Sequence, residues 1–244
     1  MSQKNEFEYL QDKKIKHSYI QNMFSEISST YDLMNDIFTF GTHRKWRKKI
    51  AQKEVAPGDA VLDIGCGTGD FVFNCSQQTS NLILGVDFAK PMLQIAYKKS
   101  QKFSQNINFI LGDALILPIQ SNKFDICSMS FVLRNISEMD VLLEEIKRIL
   151  KPGGKIIIID AFNQKQQYHP INFFTGTYSR IILPIIGRLI SGHRNAYKYL
   201  NFSIENFFTI DELGEFMENN QFVVQNKQTF LFGSVGALVV QKLD

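Results

Sequence analysis

The sequence predicts an α/β fold in which a mostly parallel sheet is covered by helices on both faces. From about residue 60 to residue 160, short apolar runs alternate with stretches of helical periodicity. The first apolar run is followed by the glycine-rich turn Gly65 to Gly69, and three successive runs end in an acidic residue. These observations predict βαβ units whose strands end at one edge of the sheet, where open α/β sheets bind ligands.

An N-terminal helical segment is expected over residues 1–55. Residues 1–16 are charged, and apolar residues at helical spacing follow from 20 to 40, interrupted by the polar run 28–30. Residues 43–54 form a basic amphipathic pattern that contains Trp46 and Ile50. Pro57 and Gly58 then mark the turn into the main part of a single domain, which we expect to span residues 56–244.

The main part is predicted to alternate strand and helix in order. Strands are expected at 60–63, 82–86, 107–111, 124–130 and 155–160, with helices that begin at Asp70 and span 91–99 and 138–150. Pro91 suits the first turn of its helix. The Lys-Pro-Gly-Gly run at 151–154 is expected to end the third helix.

The alternation breaks after Asp160. Residues 162–208 are rich in aromatic side chains without strand alternation, and we expect them to form a helical lid. A helix is expected at 209–220. The runs 222–230 and 234–242 resemble two closing strands joined by a short turn.

The composition indicates one substantial core and excludes several classes of protein. The chain has 244 residues, 44% of them hydrophobic, and its net charge of +3 is too mild to suggest nucleic-acid binding. The N-terminus predicts no secretory signal, and no apolar run reaches the ~20 residues of a membrane span. Cys66, Cys75 and Cys127 show no metal-ligand spacing and are interpreted as reduced thiols of a cytoplasmic protein.

The glycine-rich turn predicts a small-molecule site. Gly65, Gly67 and Gly69 allow the backbone to approach a ligand, and Asp63 lies two residues before the first of them. A dinucleotide site would carry Gly-x-Gly-x-x-Gly, and its pyrophosphate would be repelled by Asp63. S-adenosylmethionine carries an ammonium and a sulfonium but no phosphate, so it suits this turn better. An ordinary turn between strand and helix is the alternative.

Two further acids strengthen the prediction of a ligand site. Asp87 ends the second apolar run, about where an acid should accept hydrogen bonds from ribose hydroxyls. Asp113 follows the third run. Three successive strands would therefore bring a carboxylate to the same edge of the sheet.

Three additional motifs resemble the ubiquinone/menaquinone-biosynthesis C-methyltransferase family, within the class I S-adenosylmethionine-dependent methyltransferases. The first combines residues 31–36 (Tyr-Asp-Leu-Met-Asn-Asp) with residues 40–46. The second is Phe-Val-Leu-Arg-Asn at 131–135, and the third combines Ser191 and Gly192 with residues 196–204. The resemblance runs from about residue 24 to residue 240, which is most of the chain.

The resemblance implies a Rossmann-like methyltransferase fold, which is a three-layer, doubly wound, mostly parallel seven-stranded sheet with an antiparallel last strand. It also implies S-adenosyl-L-methionine as the cofactor. The residues assigned to cofactor binding, from the turn and from the family motifs together, are Asp63, Gly65, Gly67, Thr68, Asp87, Asp113, Ala114 and Ser130. No metal site is expected.

The implied reaction is C-methylation of a polyprenylated demethyl-quinol, either demethylmenaquinol or 2-polyprenyl-6-methoxy-1,4-benzoquinol. A ring carbon becomes nucleophilic when the adjacent hydroxyl ionises, so the site needs a group that favours the phenolate. Arg134 is the first candidate for this group because it follows the fourth strand and is always cationic. The alternative for Arg134 is a structural ion pair with Asp32, Asp36 or Glu138.

Asn135 and Tyr31 are expected to bind the ring hydroxyl beside Arg134. His43 has a suitable intrinsic pKa for a base, although a histidine in this setting also fits a packing role. Asp32 either contributes to the site or caps the helix in which it lies.

Residues 178–200 are expected to bind the isoprenoid tail and to contact the inner face of the membrane, because apolar bulk is flanked there by cations. An ordinary lid or a dimer contact would show the same pattern. A homodimer or a quinone-biosynthesis complex remains open. The alternative functions are methylation of another lipid or phenolic small molecule, a catalytically silent scaffold and an NAD-dependent oxidoreductase.

Overall fold

The sheet has the predicted architecture. The computed structural model describes residues 7–103, 106–164 and 194–243. Seven strands pair in the order β3-β2-β1-β4-β5-β7-β6, with β1 to β5 parallel and β7 antiparallel to both of its neighbours. The strands are β1 (Val61–Ile64), β2 (Ile83–Asp87), β3 (Ile107–Leu111), β4 (Phe124–Ser130), β5 (Leu150–Ala161), β6 (Phe222–Phe230) and β7 (Val235–Lys242).

Helices cover both faces of this sheet, as the alternating pattern predicts. The α-helices in the described residues are α1 (Lys13–Ile27), α2 (Tyr31–Thr39), α3 (Thr42–Glu54), α4 (Asp70–Ser76), α5 (Lys90–Ser100), α6 (Met139–Ile149), α7 (Arg194–Glu205) and α8 (Ile210–Asn219). Leu62 belongs to a core cluster with residues of α6 and α8, whereas Val61 belongs to a cluster with residues of α3 and α4. Adjacent strand residues therefore face opposite layers.

A third apolar cluster joins the N-terminal helices to α7. Ile20 and Met23 of α1 and Met34 of α2 pack with Met92 of α5 and Tyr199 of α7. Within the expected N-terminal segment 1–55, α3 thus covers the sheet, while α1 and α2 pack together with α7.

One expected boundary is wrong. The run 151–154 was expected to lie between a helix and a strand, but β5 already begins at Leu150 and includes it. The pairing of β4 with β5 shifts register between Phe124 and Ile126, and Gly153 adopts a φ of 68°. Residues 151–154 therefore form a bulge within β5, which the left-handed conformation of Gly153 permits.

Part of the expected lid lies outside the described residues. Within the range 162–208, the structure describes residues 162–164 and 194–208, which include α7. The helix expected at 209–220 is α8, and Thr209 caps it by accepting a hydrogen bond from the backbone N–H of Glu212 at 3.2 Å. None of the described helices is both long enough and apolar enough to cross a membrane.

Candidate active site

A cavity with about 900 Å³ of empty space, part of it open solvent, lies at the carboxyl ends of β1, β2 and β4, with α1 along one side. This edge of an open α/β sheet is where such folds bind ligands. Eight sequence-predicted site residues lie on the wall of this cavity, although up to about one hundred residues separate them in the chain. They are Tyr31, Gly65, Gly67, Asp87, Asp113, Ala114, Ser130 and Asn135.

The glycine turn packs closely against the loop that follows β4. Gly65 and Gly67 have φ values of 62° and 55°, a conformation that side chains rarely adopt. A Cβ atom on Gly65 would lie 2.4 Å from Cγ2 of Val132, which is far inside van der Waals contact. Gly65 is therefore required both by its backbone conformation and by the approach of the neighbouring loop.

Asp87 is fixed by backbone donors at the end of β2. The backbone N–H of Gly67 donates to one carboxylate oxygen and the N–H of Ala89 donates to the other, each at 2.8 Å. Burial raises the pKa of Asp87, whereas these backbone hydrogen bonds lower it. The carboxylate is thus oriented on the cavity wall, where it can still accept hydrogen bonds from ligand hydroxyls.

Two side-chain contacts, one of them the Lys13–Glu138 ion pair, connect α1 to the cavity rim. Nε2 of His17 lies 3.2 Å from Oδ2 of Asp113, and Nζ of Lys13 lies 3.1 Å from Oε1 of Glu138. These two basic side chains of the described cavity wall are therefore already paired. With Asp87 also present, the wall suits a ligand with ammonium, amino or hydroxyl donors and disfavours a pyrophosphate.

Asp63 and Thr68 lie outside the cavity wall. Asp63 accepts a 2.6 Å hydrogen bond from Ser128 Oγ on the adjacent strand, and burial raises its pKa to about 7. Asp63 is the third of the four residues of β1 and is fully buried within the sheet. Thr68 is buried and donates to Oδ1 of Asp32 at 2.6 Å. The cofactor-binding roles expected for Asp63 and Thr68 stay predictions.

Arg47, which the sequence reasoning did not single out, contacts two residues of the cavity wall without lining the cavity itself. Its Nε donates to Ser130 Oγ and its Nη1 to Asp70 Oδ2, both at 3.2 Å. Its guanidinium lies 5.4 Å from the ring centroid of Phe131, which lines the cavity. The available signal was helical periodicity, because His43, Arg47, Ile50 and Ala51 share the buried face of α3.

Arg134 pairs with a residue that was not among its expected partners. Its Nη1 donates to Oδ1 of Asp160 at 2.5 Å, and both side chains are buried. The guanidinium lies 5.7 Å from the ring centroid of Phe131, but Arg134 is not on the cavity wall. Arg134 therefore reaches the cavity through its charge and through Phe131.

Asn135 and Tyr31 do line the cavity. Asn135 donates from Nδ2 to the carbonyl oxygen of Phe131 at 3.3 Å and accepts from the hydroxyl of Tyr199 at 3.1 Å. Burial raises the pKa of the Tyr31 phenol, whereas the positive charges of Arg47 and Arg134 lower it. Burial has the larger effect, so the pKa of Tyr31 is raised overall, and the two guanidiniums only reduce this rise.

His43 is a structural residue in α3. It is buried, its Nδ1 lies 2.7 Å from Thr39 Oγ1, and its Nε2 lies 3.7 Å from Oδ1 of Asp36 and 3.9 Å from Oδ2 of Asp70. Burial and the neighbouring Arg47 lower its pKa. It is absent from the cavity wall, so the packing interpretation applies. The described residues contain no cluster suited to a metal ion.

Sequence comparisons identify the family of the chain. Residues 12–242 match the sequence profile of the ubiE/COQ5 methyltransferase family. The chain is 35% identical over 212 residues to a demethylmenaquinone methyltransferase from Oceanobacillus iheyensis, covering 85% of this chain and 88% of that protein. It is 31% identical over 235 residues to a demethylmenaquinone methyltransferase from Staphylococcus aureus, covering 93% and 94%.

Solved structures share the fold at low sequence identity. A SAM-dependent methyltransferase from Aquifex aeolicus superposes with a TM-score of 0.58 at 19% identity, covering 81% of this chain and 89% of that one. The YcgJ protein from Bacillus subtilis gives a TM-score of 0.58 at 18% identity, covering 82% and 98%. The expected Rossmann-like architecture is confirmed.

Proposed function

The chain belongs to the ubiE/COQ5 methyltransferase family, and on that premise we propose that it methylates a ring carbon of a polyprenylated quinol. One observation carries the proposal. The family motif residues Tyr31 and Asn135 share a cavity with Asp87 and Asp113 of the α/β core. Both curated relatives described above are named demethylmenaquinone methyltransferases, which favours demethylmenaquinol over the benzoquinol.

The enzyme depends on S-adenosylmethionine, and the cavity fits this cofactor. Asp87 would accept hydrogen bonds from the ribose hydroxyls, and Asp113 with Ala114 would border the adenine. The turn at Gly65 and Gly67 would leave room for the methionine part, with Ser130 close to it. When bound, S-adenosylmethionine supplies an electrophilic methyl group on its sulfonium. The acids of the wall complement a cation, so the NAD-dependent alternative is disfavoured.

The ring hydroxyl would bind between Tyr31 and Asn135. Ionisation of this hydroxyl makes the neighbouring ring carbon nucleophilic. The positive charges of Arg47 and Arg134 would favour the ionised form, as they do at Tyr31, where burial acts more strongly in the opposite direction. Arg134 then acts at a distance, since its guanidinium pairs with Asp160 and lies outside the cavity wall. A fixed donor at a developing oxyanion typically contributes about 3–4 kcal/mol to catalysis.

The tail and the membrane form a separate part of the proposal. The segment 178–200 combines apolar side chains with Arg180, Arg188 and Lys198, and we assign the isoprenoid tail and a peripheral membrane contact to it. Residues 178–193 lie outside the described residues. The support for this assignment is therefore the sequence pattern. A cytoplasmic enzyme at the inner face of the membrane would reach a lipid-soluble quinol.

The test is a turnover assay with S-adenosylmethionine that carries an isotopically labelled methyl group. Purified protein is offered reduced demethylmenaquinol and the reduced demethyl-benzoquinol in detergent micelles, and the product is analysed by mass spectrometry and NMR. Label on a ring carbon of demethylmenaquinol is the expected result. Cofactor binding without methylation of either quinol would overturn the proposed substrate and favour another lipid or phenolic acceptor.

A further inference from the structure

A side-chain hydrogen bond joins α7 to the loop that follows β4. The hydroxyl of Tyr199 donates to Oδ1 of Asn135 across 3.1 Å, although 64 residues separate them in the chain. Asn135 lies on the cavity wall, whereas Tyr199 does not. Tyr199 is only 2% exposed, so solvent does not compete for this hydroxyl. The contact thus reaches the cavity through Asn135.

The carboxamide of Asn135 ends in two different groups, an oxygen that accepts hydrogen bonds and a nitrogen with two N–H donors. The bond from Tyr199 occupies the oxygen. One N–H points to the carbonyl oxygen of Phe131 at the long distance of 3.3 Å. In this orientation the second N–H is the group that Asn135, as a residue of the cavity wall, would have available for a bound ring. A rotated amide would offer an oxygen instead, which favours a neutral hydroxyl over a phenolate.

The ring of Tyr199 is held independently of its hydroxyl. It packs edge-on against Phe7 at 5.8 Å and against Tyr19 at 5.5 Å between ring centroids. Phe202 lies 6.4 Å away on the same helix. Burial raises the pKa of the Tyr199 phenol, so the group remains a donor through the neutral range. Removing the oxygen alone should therefore preserve the packing and change the hydrogen bond.

We propose that Tyr199 is a positioning residue that holds the Asn135 amide with an N–H toward the ring hydroxyl of the quinol. The proposal rests on the proposed function, because it assigns to Asn135 a role in favouring the quinol phenolate. It also gives the third family motif, which contains Tyr199, a role at the reaction centre.

The experiment compares wild type with Tyr199→Phe in the quinol assay, with Tyr19→Phe as the matched control. Tyr19→Phe removes a hydroxyl from the same aromatic cluster without touching Asn135. We expect Tyr199→Phe to lower kcat about tenfold, as loss of one well-placed hydrogen bond does. The KM for the quinol and the Kd for S-adenosylmethionine should stay within about twofold, and Tyr19→Phe should retain wild-type kcat.

Two further readouts separate positioning from a structural role. The alkaline rise in the pH–kcat profile should move to higher pH in Tyr199→Phe, because the bound quinol then ionises less readily. In an Asn135→Ala background, Tyr199→Phe should have no further effect on kcat, since the group that Tyr199 positions is gone.

Contrary results would be distinguishable. If the wild type methylates neither quinol, the proposed function is wrong and this inference falls with it. If the wild type is active but Tyr199→Phe retains its kcat and pH profile, the positioning role alone is wrong. The positioning role is also wrong if Tyr199→Phe loses cofactor binding and thermal stability together. It is wrong as well if Tyr199→Phe lowers kcat by the same factor in the Asn135→Ala background as in the wild type.

Discussion

Arg134 donates from Nη1 to Oδ1 of Asp160 at 2.5 Å in the interior of the protein. The side chains are 7% and 0% exposed. Burial raises the pKa of Asp160, whereas the charge of Arg134 lowers it. Removing one partner would leave the other as an uncompensated buried charge, which is far more costly than losing a surface pair. Variants of Arg134 are therefore expected to lower stability, so a loss of activity in them would not by itself show a catalytic role.

Asp160→Ala is expected to reduce the free energy of unfolding by about 3–5 kcal/mol, because Arg134 then remains buried without its counter-charge. Urea unfolding followed by circular dichroism measures this change. Asp211→Ala is the matched control, since Asp211 pairs with Lys227 at the surface and the expected loss there is at most about 1 kcal/mol. Equal losses in the two variants would contradict the buried-pair interpretation.

Asp63→Asn is expected to change how stability depends on pH. The pKa of Asp63 is about 7 in the folded protein, above its ordinary value of 3.8, so the folded state holds a proton that the unfolded state has lost between these values. Wild-type stability therefore falls as pH rises through this window, by at most about 1.4 kcal/mol per pH unit from this group. The asparagine variant lacks this contribution.

The measurement is urea unfolding of wild type and Asp63→Asn at pH 5, 6, 7 and 8. The variant should gain stability relative to wild type from pH 5 to pH 7, and the difference should level off above pH 7. The surface variant Asp211→Asn controls for a general loss of negative charge. A difference between Asp63→Asn and wild type that does not vary with pH would show that Asp63 is ionised in the fold.

Asp87→Asn is expected to weaken S-adenosylmethionine binding by about tenfold or more, because an amide presents an N–H where the carboxylate presents an acceptor. Isothermal titration calorimetry gives the Kd. Asp59→Asn is the control, since Asp59 accepts a backbone hydrogen bond from Ala56 at 2.8 Å, as Asp87 does from Gly67, but lies outside the cavity wall. An unchanged Kd in Asp87→Asn would remove Asp87 from the cofactor site.

Gly65→Ala is expected to abolish measurable cofactor binding, and Gly41→Ala is its matched control. The two glycines have similar φ values of 62° and 67°, so both substitutions incur a backbone cost of about 1–2 kcal/mol. Only the methyl group on Gly65 would collide with Val132, since nothing lies within 4 Å of the corresponding position at Gly41. Calorimetry measures cofactor binding and thermal unfolding measures stability in both variants. Gly41→Ala should lose only the stability that the backbone conformation costs, whereas Gly65→Ala should also lose cofactor binding.

The alternation of apolar runs and helical patterns was enough to predict the layers of the sheet and the convergence of Asp87 and Asp113 on one edge. Both features follow from local periodicity, because parallel strands joined by helices must end on the same side. The antiparallel β7 and the roles of Tyr31 and Asn135 came from resemblance to a family. The strand and helix periodicity can be read from the local sequence because it does not depend on which distant residues become neighbours in the fold.

Only the tertiary structure decided which polar side chains line the cavity. Asp63 is not among them, because it is buried in β1 and its carboxyl group accepts a hydrogen bond from Ser128 of the neighbouring strand. Arg134 is hydrogen-bonded to Asp160 of β5, which lies 26 residues away in the chain. Asn135 is hydrogen-bonded to Tyr199 of α7, which lies 64 residues away. A charge or amide pairs with whatever the packed core brings within about 3 Å, and strand periodicity does not specify that partner.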